Sequence, residues 1–247
     1  MNPNIHIYDT PEQLAEAFSQ HLVNLAGQLD TFYIALSGGK TPVYLFDYLV
    51  AHPENISWNK VKIFWVDERC VPPTDQESNY RLASERLISR LNIPEENIYR
   101  IHGEADPYNE AIRYERLIKE TVPSVRQVPQ FDLIVLGMGA DGHTASIFPE
   151  QIDLIESDRL CTIAQHPVSR QLRVTFTMKL INHARHVAFL VTGEDKATKV
   201  EAVLNQKREA EFYPANFVAP QSGSLHWFLD KTAAVEWKPK ANIATIL

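Results

Sequence analysis

Short apolar runs alternate with longer amphipathic stretches along most of the chain. Phe32-Tyr33-Ile34-Ala35-Leu36, Val61-Lys62-Ile63-Phe64-Trp65-Val66, Phe131-Asp132-Leu133-Ile134-Val135-Leu136 and His186-Val187-Ala188-Phe189-Leu190-Val191 are rich in β-branched and aromatic residues. Runs of this kind predict strands, and their near-continuous hydrophobicity predicts burial on both faces, as in a parallel sheet. Between them the apolar spacing becomes helical. Thr10-Pro11-Glu12-Gln13 offers a capping box with an early proline, ahead of Leu14, Ala17, Phe18, Leu22 and Leu25. Thr41-Pro42 opens a second helix before Leu45, Phe46 and Leu49, and Ser78 caps a third that carries Leu82, Leu87 and Leu91. Ile112 to Ile118 and Lys196 to Leu204 also have helical spacing.

This alternation predicts an α/β fold: a single domain over residues 1–247, with a mostly parallel, doubly wound sheet flanked by helices on both faces. No internal repeat or low-complexity tract interrupts it, and Pro123 to Pro129 is the most exposed connection. Open parallel sheets gather ligands at the carboxyl ends of their strands. Four loops are selected by that rule: Ser37 to Thr41, Asp67 to Asn79, Gly137 to Pro149, and Gly193 to Lys196.

Composition narrows the class of partner. At 247 residues and 45% hydrophobic, the chain can bury a core without disulfide or metal staples. Its 24 basic and 31 acidic residues give a net charge of −7, which opposes nucleic acid and anionic membranes at long range. An anionic small substrate needs a local cluster of positive groups. The two cysteines, Cys70 and Cys161, lack metal-type spacing and are expected to be reduced, packed thiols. No basic-then-apolar leader and no run of membrane-spanning length is present, so a cytoplasmic location is expected.

The first loop, Ser37-Gly38-Gly39-Lys40-Thr41, resembles a nucleotide phosphate loop but has Ile34 where the first glycine belongs. A shorter turn remains, in which backbone amides and the Ser37 and Thr41 hydroxyls suit one phosphate, or in which small residues merely permit a tight strand-to-helix turn. Gly137-Met138-Gly139-Ala140-Asp141-Gly142 matches a dinucleotide-loop pattern, but Asp141 stands where a pyrophosphate would approach and His143 follows at once. Those groups suit proton transfer, since a carboxylate can orient a histidine that titrates near neutrality. Asp67-Glu68-Arg69 ends another strand and adds either a supporting carboxylate or a structural ion pair. Lys40, Arg173 and Lys196 are candidate phosphate cations expected at sheet-end loops. No nucleophile elbow or zinc helix is present, and no metal is suggested.

At these residues the sequence resembles the 6-phosphogluconolactonase family, within the glucosamine-6-phosphate isomerase/deaminase superfamily. The matching segments run in unbroken order: Leu36 to Pro42, Trp65 to Pro72 with Ser78-Asn79, Gly137 to Pro149, Arg173 to Thr177, Val191 to Ala197, and Gly223 to Asp230. The resemblance implies hydrolysis of 6-phosphogluconolactone to 6-phosphogluconate in the pentose phosphate pathway, without metal or organic cofactor. It implies His143 as the base, with Asp141 and Asp67 in support, and a phosphate site from Ser37, Gly38, Gly39, Thr41, Arg173 and Lys196. Arg69 belongs to the lactonase form of its segment and is expected to touch substrate. The oxyanion is expected to meet backbone amides of the Gly137–Gly142 loop. Two alternatives are weighed against this, an amino-sugar-phosphate deaminase and a non-catalytic sugar-phosphate sensor. The deaminase branch carries a ring-opening glutamate five residues after the histidine, where this chain has Phe148, with Glu150 two places displaced.

Overall fold

The computed structural model describes residues 2–238 and 245–246. From the amino end run β1 (Asn4–Tyr8), α1 (Pro11–Ala26), β2 (Phe32–Leu36), α2 (Thr41–Ala51), β3 (Val61–Trp65), β4 (Asp67–Arg69) and α3 (Asn79–Arg86). Next come β5 (Ile98–Tyr99), α4 (Pro107–Thr121), the hairpin strands β6 (Ser124–Val125) and β7 (Val128–Pro129), and β8 (Leu133–Leu136). The chain then forms β9 (Cys161–Gln165), β10 (Leu172–Phe176), α5 (Met178–Ile181), β11 (His186–Val191), α6 (Ala197–Leu204), β12 (Ser224–Asp230) and β13 (Thr245–Ile246).

Eight strands form one sheet in the order β13-β1-β12-β11-β8-β2-β3-β5, and every pairing in it is parallel. The four apolar runs supply its centre. β8 is buried at every position, and the adjoining β11 is buried at all but His186, which is why alternation is missing from their sequences. From β2 the chain winds outward to β3 and β5, and from β8 it winds the other way to β11 and β12, beyond which lies β1, the strand that opens the chain. The direction of winding therefore reverses between β2 and β8, which opens a crevice at their carboxyl ends. The four loops selected above follow the adjacent strands β11, β8, β2 and β3, so they stand side by side along one edge.

Helix starts follow local chemistry. The Thr10 hydroxyl accepts from the Gln13 amide, the Gln13 side chain accepts from the Asp9 amide, and Ser78 caps α3 through the Arg81 amide. α2 opens at Thr41-Pro42 as expected, with Lys40 at the N-cap position and the Thr41 hydroxyl 2.8 Å from that of Thr192. One expectation needs correction. The third helix ends at Arg86, with Leu87 at its cap and Leu91 after a short 3-10 turn, both still buried.

A second, three-stranded antiparallel sheet, β4-β10-β9, was not expected. It hangs from the end of β3, where the Phe176 amide donates to the Val66 carbonyl. Asp67 to Arg69, expected in a loop, is thus a strand whose partner is Arg173 to Thr175. The hairpin β6–β7 occupies the predicted exposed connection and is exposed from Pro123 to Gln127. Cys70 and Cys161 are both free, and no helix among the described residues is long and apolar enough to cross a membrane.

Four histidines gather where α1 covers the outer strands. His6 of β1 and His21 of α1 both flank His226 of β12, with ring centroids 5.5 and 4.7 Å from it, and His186 of β11 lies 6.4 Å from His21. The Ser224 hydroxyl lies 2.7 Å from His186 Nδ1 and 2.9 Å from His226 Nε2. Burial among Phe18 and Phe228, then mutual repulsion, holds His21 down to about 4 and His226 down to about 3. In the unfolded chain a histidine takes its proton near pH 6.5. Between that pH and the depressed folded values the unfolded chain binds more protons, so stability falls as pH drops. Urea midpoints should therefore decline from pH 7 to pH 5 in the wild type and less steeply in His21→Gln and His226→Gln. Parallel declines in all three proteins would remove the cluster as the cause.

Candidate active site

The crevice is a cleft of about 480 Å³ lined from all four loops. Ser37, Gly38, Gly39, Lys40 and Thr41 follow β2; Asp67 and Arg69 follow β3; Gly137, Gly139 and His143 follow β8; Lys196 follows β11. Arg173 completes the wall from the small sheet, as a strand residue and not from a sheet-end loop as expected. Of the predicted site residues only Asp141 is not in the lining, and it holds His143 from the side.

The β2 turn closes the point of reversal. Ser37 is buried, and its hydroxyl donates to the Val135 carbonyl of β8 at 2.8 Å, which leaves only its oxygen lone pairs for a ligand. Gly38 is packed so tightly that a Cβ there would fall 1.9 Å from Asn79 Oδ1. No side chain caps the first turn of α2; Pro42 has no amide hydrogen and the Val43 amide donates to the Lys40 carbonyl, so an anion there must be met by amides ahead of Pro42. Lys40 is exposed at the lip. Lys196 enters from the far end of the row, with its ammonium 2.6 Å from the exposed Asp195 carboxylate, a weak pair that an anionic ligand can displace. Behind it, the buried Asp230 accepts from the amides of Gly193 and Ala233 and from the Thr232 hydroxyl, which fixes the β11–α6 turn.

His143 sits on a loop folded for it. Its Nδ1 lies 2.6 Å from Asp141 Oδ1, which also accepts from the His143 amide at 3.1 Å. A carboxylate only accepts, so Nδ1 carries the proton and exchange with a ligand falls to Nε2. Burial alone would raise the Asp141 pKa, but the hydrogen bond and charge of His143 bring it to about 2. Gly139 lies directly beneath the pair, and a Cβ there would stand 2.1 Å from His143 Nδ1. The Gly139 amide donates to the His143 carbonyl and the Gly142 amide to the Gly139 carbonyl. Both amides are thus spent inside the loop and are not free to meet an oxyanion.

Phe148, fully buried, backs the site. Its ring centroid is 4.7 Å from that of His143, and the Arg173 guanidinium carbon lies 5.5 Å from the same ring. Arg173 therefore stands at the histidine's end of the cleft. It is also directly opposite Arg69 in the β4–β10 pairing. Like charges so placed oppose one another, and the Nε atoms of both arginines are buried without a hydrogen-bond partner. Burial pulls Arg173 below the usual guanidinium value, Asp67 opposing and Arg69 adding to the shift. The pair is left poised for an anion.

Asp67 is nearly inaccessible, and its oxygens are already engaged. Oδ2 accepts from the Ser146 hydroxyl at 2.6 Å and Oδ1 from Asn79 Nδ2 at 3.3 Å. Ser146 in turn accepts from Arg173 at 3.4 Å. Asn79, Ser146, Asp230 and Phe148 are thus site-building residues to which the sequence reading gave no such role. In the sequence, Asn79, Ser146 and Asp230 stand only as members of the segments selected or matched above. Glu150 is exposed and outside the cleft lining. Among the described residues no group of three or more His, Cys, Asp or Glu side chains is gathered as a metal site requires.

A family model described as glucosamine-6-phosphate isomerases/6-phosphogluconolactonase matches residues 9–227. A 6-phosphogluconolactonase of Haemophilus influenzae is 39% identical over 228 residues, covering 92% of this chain and 96% of that protein. The crystal structure of a protein called devB superposes with a TM-score of 0.89 at 40% identity, over 94% of this chain and 98% of the other. A monomeric glucosamine-6-phosphate deaminase superposes with a TM-score of 0.81 at 18% identity, over 94% and 99% of the two chains, a likeness of fold alone. Two chemistries thus share the scaffold.

If the ion pair with His143 is what depresses Asp141, removing the ring should release it. In His143→Ala the Asp141 carboxyl should titrate at or above about 4, the ordinary aspartate value, in place of about 2. Carboxyl carbon NMR measures this directly, and an unchanged midpoint would show that the loop amides, not the histidine, hold the charge.

Proposed function

The chain belongs to the glucosamine-6-phosphate isomerase/6-phosphogluconolactonase family, and we propose that it hydrolyses 6-phospho-D-glucono-1,5-lactone to 6-phosphogluconate, the lactonase step of the pentose phosphate pathway. One observation carries this reading. A histidine–aspartate pair and four cations, Lys40, Arg69, Arg173 and Lys196, gather at one polar cleft in a chain whose net charge is −7.

On this reading the phosphate rests on the amides of the Ser37–Thr41 turn, on Thr41 and on Lys196, with Lys40 at the rim. Arg173, expected on the phosphate, shares Phe148 with His143. We assign it, with Arg69, to the oxygen that becomes negative at C1. His143 Nε2 takes a proton from water, the resulting hydroxide attacks C1, and a tetrahedral oxyanion forms. The imidazolium, stabilised by Asp141, then protonates the departing ring oxygen. General acid–base help of this type supplies about two to four powers of ten in rate, and the remote phosphate fixes the reacting geometry. Asp67 acts through Ser146 and Asn79 to hold the wall in place.

The deaminase reading needs an ionisable group to open the sugar ring. Phe148 cannot exchange protons, and its place is fully buried. Glu150 lies outside the lining. The sensor reading has no need for a preformed His–Asp pair aimed into the cleft.

Purified protein should release acid from fresh 6-phosphogluconolactone well above the spontaneous rate, and His143→Ala should lower turnover at least about a hundredfold. Near-normal turnover in the folded variant would remove the histidine from the chemistry. With glucosamine 6-phosphate, no ammonia or fructose 6-phosphate should form even at high enzyme concentration. Ammonia release by the wild type would overturn the lactonase assignment.

A further inference from the structure

The turn that carries Lys196 and the loop that carries His143 follow the neighbouring strands β11 and β8, and both line the cleft. These segments are far apart in sequence, yet a side-chain bridge joins them. α6 begins at Ala197, directly after Lys196, and Lys199 lies one turn further on. Lys199 Nζ donates to the Tyr213 hydroxyl at 2.7 Å and lies 4.4 Å from the centre of the same ring. Tyr213 presses on the His143 loop at Gly142, where φ is +86° and a Cβ would stand 2.7 Å from Tyr213 Cβ. Two residues on, the Ala215 amide donates to the Gly142 carbonyl at 3.1 Å. Neither Lys199 nor Tyr213 lines the cleft.

We propose that Lys199 and Tyr213 are positioning residues that set the span between the cation at Lys196 and the proton-transfer group His143. The proposal rests on the lactonase reading for its kinetic consequence, but the mechanical claim stands on the contacts alone. A substrate held at its phosphate presents C1 to His143 only if that span is right. Misplacement of reacting groups by about 1 Å can cost two powers of ten in rate. A substrate without a phosphate is not held at the Lys196 end, so the span does not govern its reaction.

The test uses Tyr213→Phe, which removes only the hydroxyl, and Lys199→Met, which keeps the length of the side chain. With 6-phosphogluconolactone each should lower kcat about five- to tenfold with KM within about twofold, and the double variant should be no worse than the worse single one. With unphosphorylated glucono-1,5-lactone both should match the wild type. Lys199→Arg, which keeps a donor, should recover most of the loss. An equal fall on both substrates would reduce the pair to general loop support and overturn the proposal, as would no fall on either.

A second measurement is independent of turnover and decides the matter even if the wild type hydrolyses neither lactone. Amide hydrogen exchange at Gly139 and Gly142, whose amides bond within the loop, should speed at least about tenfold in Tyr213→Phe while β8 is unchanged. Unaltered exchange at these two amides would show that the Lys199–Tyr213 bridge does not hold the loop and would overturn the proposal.

Discussion

A buried carboxylate at the start of the small sheet organises much of what the cleft depends on. Glu68 is 2% exposed, and it accepts four hydrogen bonds: from the amides of Arg69, Asn79 and Tyr80 and from the Ser78 hydroxyl. Burying a charge without partners costs several kcal/mol, so these donors must be in place for the carboxylate to remain ionised. Burial raises its pKa, and the donors oppose that rise without cancelling it. Three of them belong to the first residues of α3, so the charge fixes where that helix begins. Asn79 is thereby set against Gly38 and Asp67, Asp67 against Ser146, and Ser146 against Arg173. One run of contacts, hydrogen-bonded except for the packing of Asn79 on Gly38, thus ties the β3 loop to the β2 turn, to the histidine loop and to the small sheet.

The central sheet was legible because its inner strands are buried on both faces and therefore lack polar positions. The outer strands were not. β1 reads Asn-Ile-His-Ile-Tyr and β12 opens Ser-Leu-His, so the histidine cluster puts polar letters where hydrophobic ones would have marked a strand. The small sheet was hidden for another reason. Asp67-Glu68-Arg69 has no strand propensity of its own and is extended because β10 lies beside it. Local pattern cannot announce a pairing imposed across a hundred residues.

The site divides in the same way. His143, Asp141 and the glycine turn are contiguous in sequence, so their chemistry could be read from short segments. The residues that hold them work at long range: Ser146 meets Asp67 across 79 positions, and Thr41 meets Thr192 across 151. Phe148 shows both aspects. Its lack of an ionisable group was plain from the sequence, whereas its service as a common support for His143 and Arg173 needed the fold. Glycine at position 139 likewise looked like half of a dinucleotide pattern, and the structure gives it a steric purpose beneath the His–Asp pair.

The electrostatics of the cleft carry a consequence for turnover on the proposed reading. The Arg69–Arg173 pair is held together by the small sheet despite its mutual repulsion, so part of the cost of gathering positive charge is met on folding and not at the moment of reaction. An oxyanion formed beside it gains stabilisation without reorganising the protein, which favours the transition state over a neutral lactone carbonyl. The product differs from the substrate by a new carboxylate, so the same cations would also hold it. Two features oppose that retention. Asp195 stands ready to reclaim Lys196 when the phosphate leaves, and the net charge of −7 repels a departing polyanion once it passes the rim. A cleft that is locally cationic on a globally acidic protein therefore balances binding of the charge that develops against release of the charge that results.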